Sequence, residues 1–182
     1  MKSIAIFITK LSAFLLHLIH RGGSLPGQLG LKICNDVLCK LKITCPVILV
    51  TGTNGKTSTS NMIVEMFEQK KDKVISNRKG DNLRAGITTS LLCASTLTGK
   101  IHADAIVLEV DELNIPYIIK SLPVTALVVT NFFRDQLDRA REMEQLISKV
   151  EAAISDFKGT LILNGNDPNV VRLKDKAPQA DA

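Results

Sequence analysis

Tryptophan is absent, and one Tyr and six Phe supply all the aromatic rings in 182 residues. So few rings, with charge scattered along the chain, argue against base stacking or a clustered basic face, so no nucleic-acid partner is expected. No CxxC pair occurs among Cys34, Cys39, Cys45 and Cys93, which argues against a zinc knuckle built from them. Cys45 and Cys93 sit in apolar sequence and are expected as small core residues of a reduced, intracellular chain. His17, His20 and His102 fall in no Ser–His–Asp or Cys–His pattern, so no hydrolase site is expected. No internal repeat stands out, and no uninterrupted apolar run reaches the about 20 residues needed to span a bilayer.

Acids are nearly absent from one end. Residues 1–44 hold six basic residues (Lys2, Lys10, Arg21, Lys32, Lys40, Lys42) and one acid, Asp36, while the remainder carries seventeen of each sign. The net charge of +5 therefore belongs to this segment. It suits an anionic membrane surface, or it is a solvated basic face with no partner. Residues 1–20, MKSIAIFITKLSAFLLHLIH, place Ile4, Ile8, Leu11, Leu15 and Leu18 on one helical stripe. Lys10 interrupts the apolar core and no small-residue cleavage site follows, which argues against a signal peptide. Two readings stay open: a helix lying on a membrane surface, and a helix packed on the domain body. RGGSLPGQLG (21–30) reads as a connector, with a helix near 31–42 ending before Pro46.

The chain is 45% hydrophobic, enough for one packed domain, and from residue 45 its pattern alternates. Strands are expected at 47–50, 74–76, 105–110, 126–130 and 160–163, and helices at 56–70, 87–96, 114–122 and 140–157. That order predicts an α/β fold with a parallel sheet flanked by helices. Ligands in such folds sit at the carboxyl ends of the strands. The expected organisation is an N-terminal helical segment and connector over 1–44, a central domain over 45–173 and a polar tail over 174–182.

TGTNGKTS (51–58) stands between the apolar strand VILV and a helix. Glycines allow close backbone approach, helix N–H groups bind anions, Lys56 can reach β- and γ-phosphates, and Thr57 can offer its hydroxyl to Mg²⁺. Val50 stands where the usual phosphate loop has its first glycine. Candidate nucleotide ligands are Gly52, Thr53, Asn54, Gly55, Lys56, Thr57 and Ser58. Glu109 ends an apolar strand, where its carboxylate either holds Mg²⁺ or serves as a cap or ion pair. Asp111 and Glu112 follow it. Asn82 lies in the loop after the second strand, either facing a phosphoryl group or forming a turn.

The short glycine spacing of TGTNGKTS resembles the ATP loop of the Mur ligase superfamily. EVDE (109–112), TNFFRDQLDR (130–139) and LNGNDP (163–168) resemble that family's acidic strand end, its asparagine–aspartate–leucine–aspartate segment and its nucleotide-side turn. RGGSLPGQLGLK (21–32) and NRKGDNLRAGITTSLL (77–92) are similar to the MurT branch, the ligase-like subunits of lipid II isoglutaminyl synthase. The resemblance implies a Mur-type central ATP-binding (P-loop) domain with ATP and Mg²⁺ as cofactors. It implies catalytic roles for Lys56, Asn82 and Glu109, with Thr57 and Glu109 on the metal. The implied reaction activates the D-glutamate α-carboxylate of the lipid II stem peptide as an acyl phosphate. Ammonia from a GatD-type glutaminase partner then gives D-isoglutamine.

Arg78, Lys79 and Arg84 are either anion-holding or surface charges. Many family members have histidine where Gln136 stands, so a second metal held by that residue is not expected here. Asp135 and Asp138 either orient that segment or cap the next helix. Asn164 and Asp167 are candidate adenine contacts, or members of a β-turn. Longer relatives carry a four-cysteine zinc ribbon and a C-terminal domain with an essential aspartate. Neither has a counterpart among these residues, so zinc is not expected and the domain reads as incomplete, as a fragment, a broken reading frame or a minimal relative. The implied location is the cytoplasm, at the inner face of the membrane. The alternatives are another Mur- or folylpolyglutamate-type ligase and an inactive nucleotide-binding fragment.

Overall fold

The computed structural model describes residues 1–18, 23–70, 72–77, 81–133 and 140–181. Five parallel strands form one sheet: β1 (Val47–Thr51), β2 (Val74–Ser76), β3 (Ala105–Glu109), β4 (Ala126–Val129) and β5 (Thr160–Leu163). Their spatial order is β2-β3-β1-β4-β5. The two central strands are apolar because both their faces are covered, and all five residues of β3 are buried. The chain leaves β1 for one edge and later returns to its other side. The β1 loop therefore opens at the point where strand order reverses, the usual ligand crevice of such sheets.

One face of the sheet is covered by α4 (Arg84–Ala94), α5 (Ile115–Ser121) and α6 (Ala140–Ile154). Leu49, Ile106, Leu108 and Leu127 pack there against Ile87, Leu91, Ile118, Ile147 and Val150. On the other face, Val64 of α3 (Lys56–Gln69) packs on Val50, Val107 and Val128. The expected strands and the later helices are present with small shifts at their ends: α4 begins at Arg84, and α5 is preceded by a 3-10 turn over Glu112–Asn114.

The N-terminal region differs from its expectation. RGGSLPGQLG is no plain connector, because α2 spans Leu25–Ile33, and only a 3-10 turn, Leu38–Lys40, follows in place of a longer helix. Pro26 sits in the first turn, where its missing N–H costs no hydrogen bond. Gly27 and Gly30 are packing residues. A Cβ on Gly27 would lie 1.9 Å from the Ala85 carbonyl oxygen, and one on Gly30 2.4 Å from Thr9 Oγ1.

The first helix, α1 (Lys2–Leu18), packs on the body through Ala5, Ile6 and Thr9, all fully buried. The stripe of larger residues faces outward: Ile4, Leu11, Leu15 and Leu18 are exposed. The cysteines are also redistributed, with Cys34 buried while Cys93 and Cys39 are exposed. Apolar neighbours in sequence did not bury Cys93, because it lines an open groove between α1 and α4. The segment read as a polar tail folds back. After α7 (Pro168–Val171), a 3-10 turn covers Arg172–Lys176, Ala177 is buried, and Asp181 bridges Thr160 of β5.

Candidate active site at the β1 loop

Strand register assembles the site. Pairing of Val50 with Glu109 puts the end of β3 beside the β1 loop, and pairing of Thr51 with Val129 puts Thr130 and Asn131 on its other side. Two glycines with left-handed backbone shape the loop, Gly52 at φ 122° and Gly55 at φ 80°. A Cβ on Gly52 would lie 2.3 Å from Thr130 Oγ1 and 2.8 Å from both N and O of Asn131, whereas nothing lies within 4 Å of one on Gly55. Gly52 is thus required by conformation and by close approach, and Gly55 by conformation alone.

The β4 end holds the loop. Thr53 N–H donates to the Asn131 carbonyl at 2.8 Å and Asn54 N–H to Asn131 Oδ1 at 3.0 Å. Asn131 Nδ2 and Thr130 Oγ1 donate in return to the Asn54 carbonyl, at 3.0 and 2.7 Å. Gly55 then caps α3, whose first turn carries no acid. The unpaired N–H groups and the dipole of that turn make it favourable to an anion.

Glu109 is 6% exposed. Its carboxylate accepts from Thr57 Oγ1 at 2.8 Å and from Asn82 Nδ2 at 3.1 Å. Asn77 fixes its backbone: Glu109 N–H donates to Asn77 Oδ1 at 2.9 Å, and Asn77 Nδ2 donates to the Glu109 carbonyl at 2.8 Å and to that of Asp81 at 3.1 Å. Lys56 Nζ donates to the carbonyls of Gly52 and, at 3.1 Å, Thr53, and stands 3.7 Å from the Glu112 carboxylate. Thr57 and Asn82 therefore meet on the Glu109 carboxylate, Lys56 folds over its own loop towards Glu112, and Thr53, Asn54, Gly55 and Ser58 line the exposed loop and first turn beside them.

The weaker candidates lie around this centre. Asp111 caps the Glu112–Asn114 turn by accepting from Leu113 N–H at 3.0 Å. Asp167 accepts from Phe132 N–H at 2.8 Å and Asn169 N–H at 2.9 Å, and Asn164 Nδ2 donates to the Thr130 carbonyl at 2.8 Å. These two tie the end of β5 to the segment that holds Asn54. Arg84 is engaged elsewhere, stacked 3.6 Å from the Tyr117 ring centroid and donating to the Asn35 carbonyl at 2.8 Å. Arg78, Lys79, Asp135, Gln136 and Asp138 lie outside the described residues. Among the described residues, no three of His, Cys, Asp and Glu group as a metal cage.

Asn77, Thr130 and Asn131 were not among the sequence candidates. Their signals are position and motif: each is among the first polar residues after a strand's carboxyl end, Asn77 opens NRKGDNLRAG, and Thr130 and Asn131 open TNFFRDQLDR. Beside Asn77, a groove of about 1110 Å³ runs between α1, α4 and the end of β2, with Leu16, His17, Ser76, Asp81 and Ser90 on its walls. Burial there raises the Asp81 carboxyl above its ordinary pKa.

The sequence pattern of the Mur ligase middle domain matches residues 50–182. The chain is 41% identical over 155 residues to the MurT subunit of lipid II isoglutaminyl synthase (glutamine-hydrolyzing) from Staphylococcus aureus strain N315, across 85% of this chain and 35% of that protein. It is 37% identical over 159 residues to the same subunit from Streptococcus pneumoniae R6, across 86% of this chain and 35% of that protein. The chain thus spans about a third of the length of these curated relatives. Among solved structures, MurF from Acinetobacter baumannii superposes with a TM-score of 0.65 at 19% identity, over 85% of this chain and 34% of that one, which is a likeness of fold.

Proposed function

Because the chain belongs to the Mur ligase family, we propose that it forms the nucleotide-binding part of an ATP-dependent amide ligase of peptidoglycan synthesis. In this reading it amidates the D-glutamate α-carboxylate of the lipid II stem peptide, with ammonia from a glutaminase subunit, at the cytoplasmic side of the membrane. The observation that carries the proposal is the meeting of the Thr57 hydroxyl, the Asn82 amide and the buried Glu109 carboxylate at the start of α3. The identity to MurT subunits supports the choice of acceptor.

The donor set fits Mg²⁺. Two hard oxygens, Thr57 Oγ1 and Glu109 Oε2, stand 2.8 Å apart, and Mg²⁺ takes few protein ligands and completes its shell with phosphate oxygens and water. When bound, that ion supplies charge neutralisation on the transferring phosphoryl group. The N–H groups of the Gly55 cap and the first turn of α3 hold phosphate oxygens. Lys56, now on its loop carbonyls, would reach the β- and γ-phosphates and add the positive charge that phosphoryl transfer requires. Asn82 presents a neutral amide to the attacking carboxylate, which avoids repulsion between two anions. Asn77 keeps Glu109 in register with Thr57. The groove beside Asn77 admits the acceptor.

Two measurements test this reading. Mg-ATP should raise the melting temperature of the chain, and Lys56→Ala should remove the rise; an unchanged rise would reject the loop as the nucleotide site. Amidation of lipid II should require ATP, glutamine and the glutaminase subunit, followed by mass spectrometry of the stem peptide. Incorporation of an amino acid in place of ammonia would reject the proposed acceptor chemistry.

A further inference from the structure

We infer that the outer face of α1 docks onto an anionic lipid surface, with the helix lying in the plane of the interface. The anchoring of α1 fixes which side it shows. Ala5, Ile6 and Thr9 are fully buried, Thr9 Oγ1 donates to the Pro26 carbonyl at 3.2 Å, and Lys10 Nζ donates to the Cys93 carbonyl at 2.7 Å. The helix cannot roll its large apolar residues inward without breaking these contacts. Ile4, Phe7, Leu11, Phe14, Leu15 and Leu18 are each between 43% and 62% exposed. With Met1 they make seven of the sixteen large apolar side chains exposed among the described residues, all on the first eighteen residues. Concentration of that kind marks an interaction surface.

Charge selects the occupant. No Asp or Glu occurs before Asp36. At the N-terminal end of α1, Lys2 Nζ lies 3.3 Å from the Lys40 carbonyl and packs on Gly99, and Lys42 pairs with Lys100 through the backbone. Lys2, Lys40, Lys42 and Lys100 therefore gather near the N-terminal end of α1, and Asp36 answers only Lys40, at 2.7 Å. A second copy of the chain would bring basic groups against basic groups. Anionic headgroups satisfy both the apolar stripe and the lysines. At 17 residues α1 is about 25 Å long, and no helix among the described residues is long and apolar enough to cross a membrane, so α1 lies on the surface.

This inference goes beyond the ligase reading and does not need it. The test is cosedimentation of the chain with vesicles of phosphatidylglycerol mixed with phosphatidylcholine, and with phosphatidylcholine vesicles alone. Binding should favour the anionic vesicles and fall as salt is raised. Phe7→Ser with Phe14→Ser should lower partitioning by at least about tenfold, since each exposed Phe buries a large apolar area on docking. Lys42→Gln and Lys100→Gln should each lower it by about fivefold on anionic vesicles only. Thermal melts of all three variants should match the parent, because these side chains are exposed or partnered only through backbone. Equal binding to both vesicle types, binding retained by the double Phe variant, or no sedimentation with either would overturn the inference. So would concentration-dependent dimers that the double Phe variant dissolves in the absence of any vesicle binding.

Discussion

Gly52 and Gly55 share a left-handed backbone but differ in surroundings, and alanine at each separates the two reasons for glycine. Forcing a Cβ into a left-handed conformation costs about 1–2 kcal/mol per residue. That is the whole cost expected for Gly55→Ala, because nothing lies within 4 Å of its added atom. At Gly52 the new atom would sit 2.3 Å from Thr130 Oγ1 and 2.8 Å from the Asn131 backbone, so a neighbour must move. Overpacking of this kind adds about 1–3 kcal/mol. Middle values are about 1.5 kcal/mol for Gly55→Ala and about 3.5 kcal/mol for Gly52→Ala. At about 2–4 °C per kcal/mol for a chain of this size, the melting temperature should fall by about 3–6 °C in the first and about 7–14 °C in the second. Thermal melts and urea titrations at equal protein concentration measure both. Adding Thr130→Ala to Gly52→Ala should recover only part of the loss, because the Asn131 backbone remains in the way. Equal losses at the two glycines would refute the close approach of the β4 end to the loop.

Asn77→Ala removes both bonds to the Glu109 peptide and leaves a buried donor and acceptor unpaired, which should cost about 2–4 kcal/mol in urea unfolding. Gly30→Val should destabilise the α1–α2 contact at Thr9 by about 1–3 kcal/mol, read as early loss of protection in α1 by hydrogen exchange. The Arg172 guanidinium, 2.5 Å from Glu144, holds that carboxyl below its ordinary pKa. A depressed folded value means the pair's contribution is full above the unfolded pKa and is lost as pH falls through the folded one. Arg172→Gln should therefore be less stable than the parent at neutral pH, with the gap closing in acid; a constant gap across the titration would contradict the pairing.

The central strands were legible because VILV and AIVL, covered on both faces of the sheet, read as unbroken apolar runs. α2 was hidden because Pro26, Gly27 and Gly30 act locally as turn formers. Their actual reasons, a first-turn proline and two contacts with other helices at distances no Cβ tolerates, depend on chain far away in sequence. α1 was legible as a helix but not in its facing. Periodicity favours the side with the largest residues, while the body accepts only the small side of Ala5 and Thr9 beside Ile6. Lys56, Thr57, Asn82 and Glu109 stand in motifs legible in the sequence, and the fold brings Thr57 and Asn82 onto the Glu109 carboxylate while Lys56 turns to its own loop and Glu112. Asn77 and Asn131 open two of the quoted motifs, but their clamping role was not legible, since an amide after a strand looks the same whether it forms a turn or clamps a neighbouring strand.

β5 closes one side of the sheet, and it does not face solvent bare. Leu161 N–H donates to the Asp181 carbonyl at 2.7 Å, and Asp181 N–H donates to that of Gly159 at 3.2 Å. Ile162 beside them is 52% exposed. An unpaired strand edge next to an exposed isoleucine is a template on which another chain can add a strand. The short polar segment around Asp181 occupies the start of that template with its own backbone and sets a carboxylate there. With one bridge at Thr160 the start of the edge is taken, which leaves a shorter stretch for another copy to pair with.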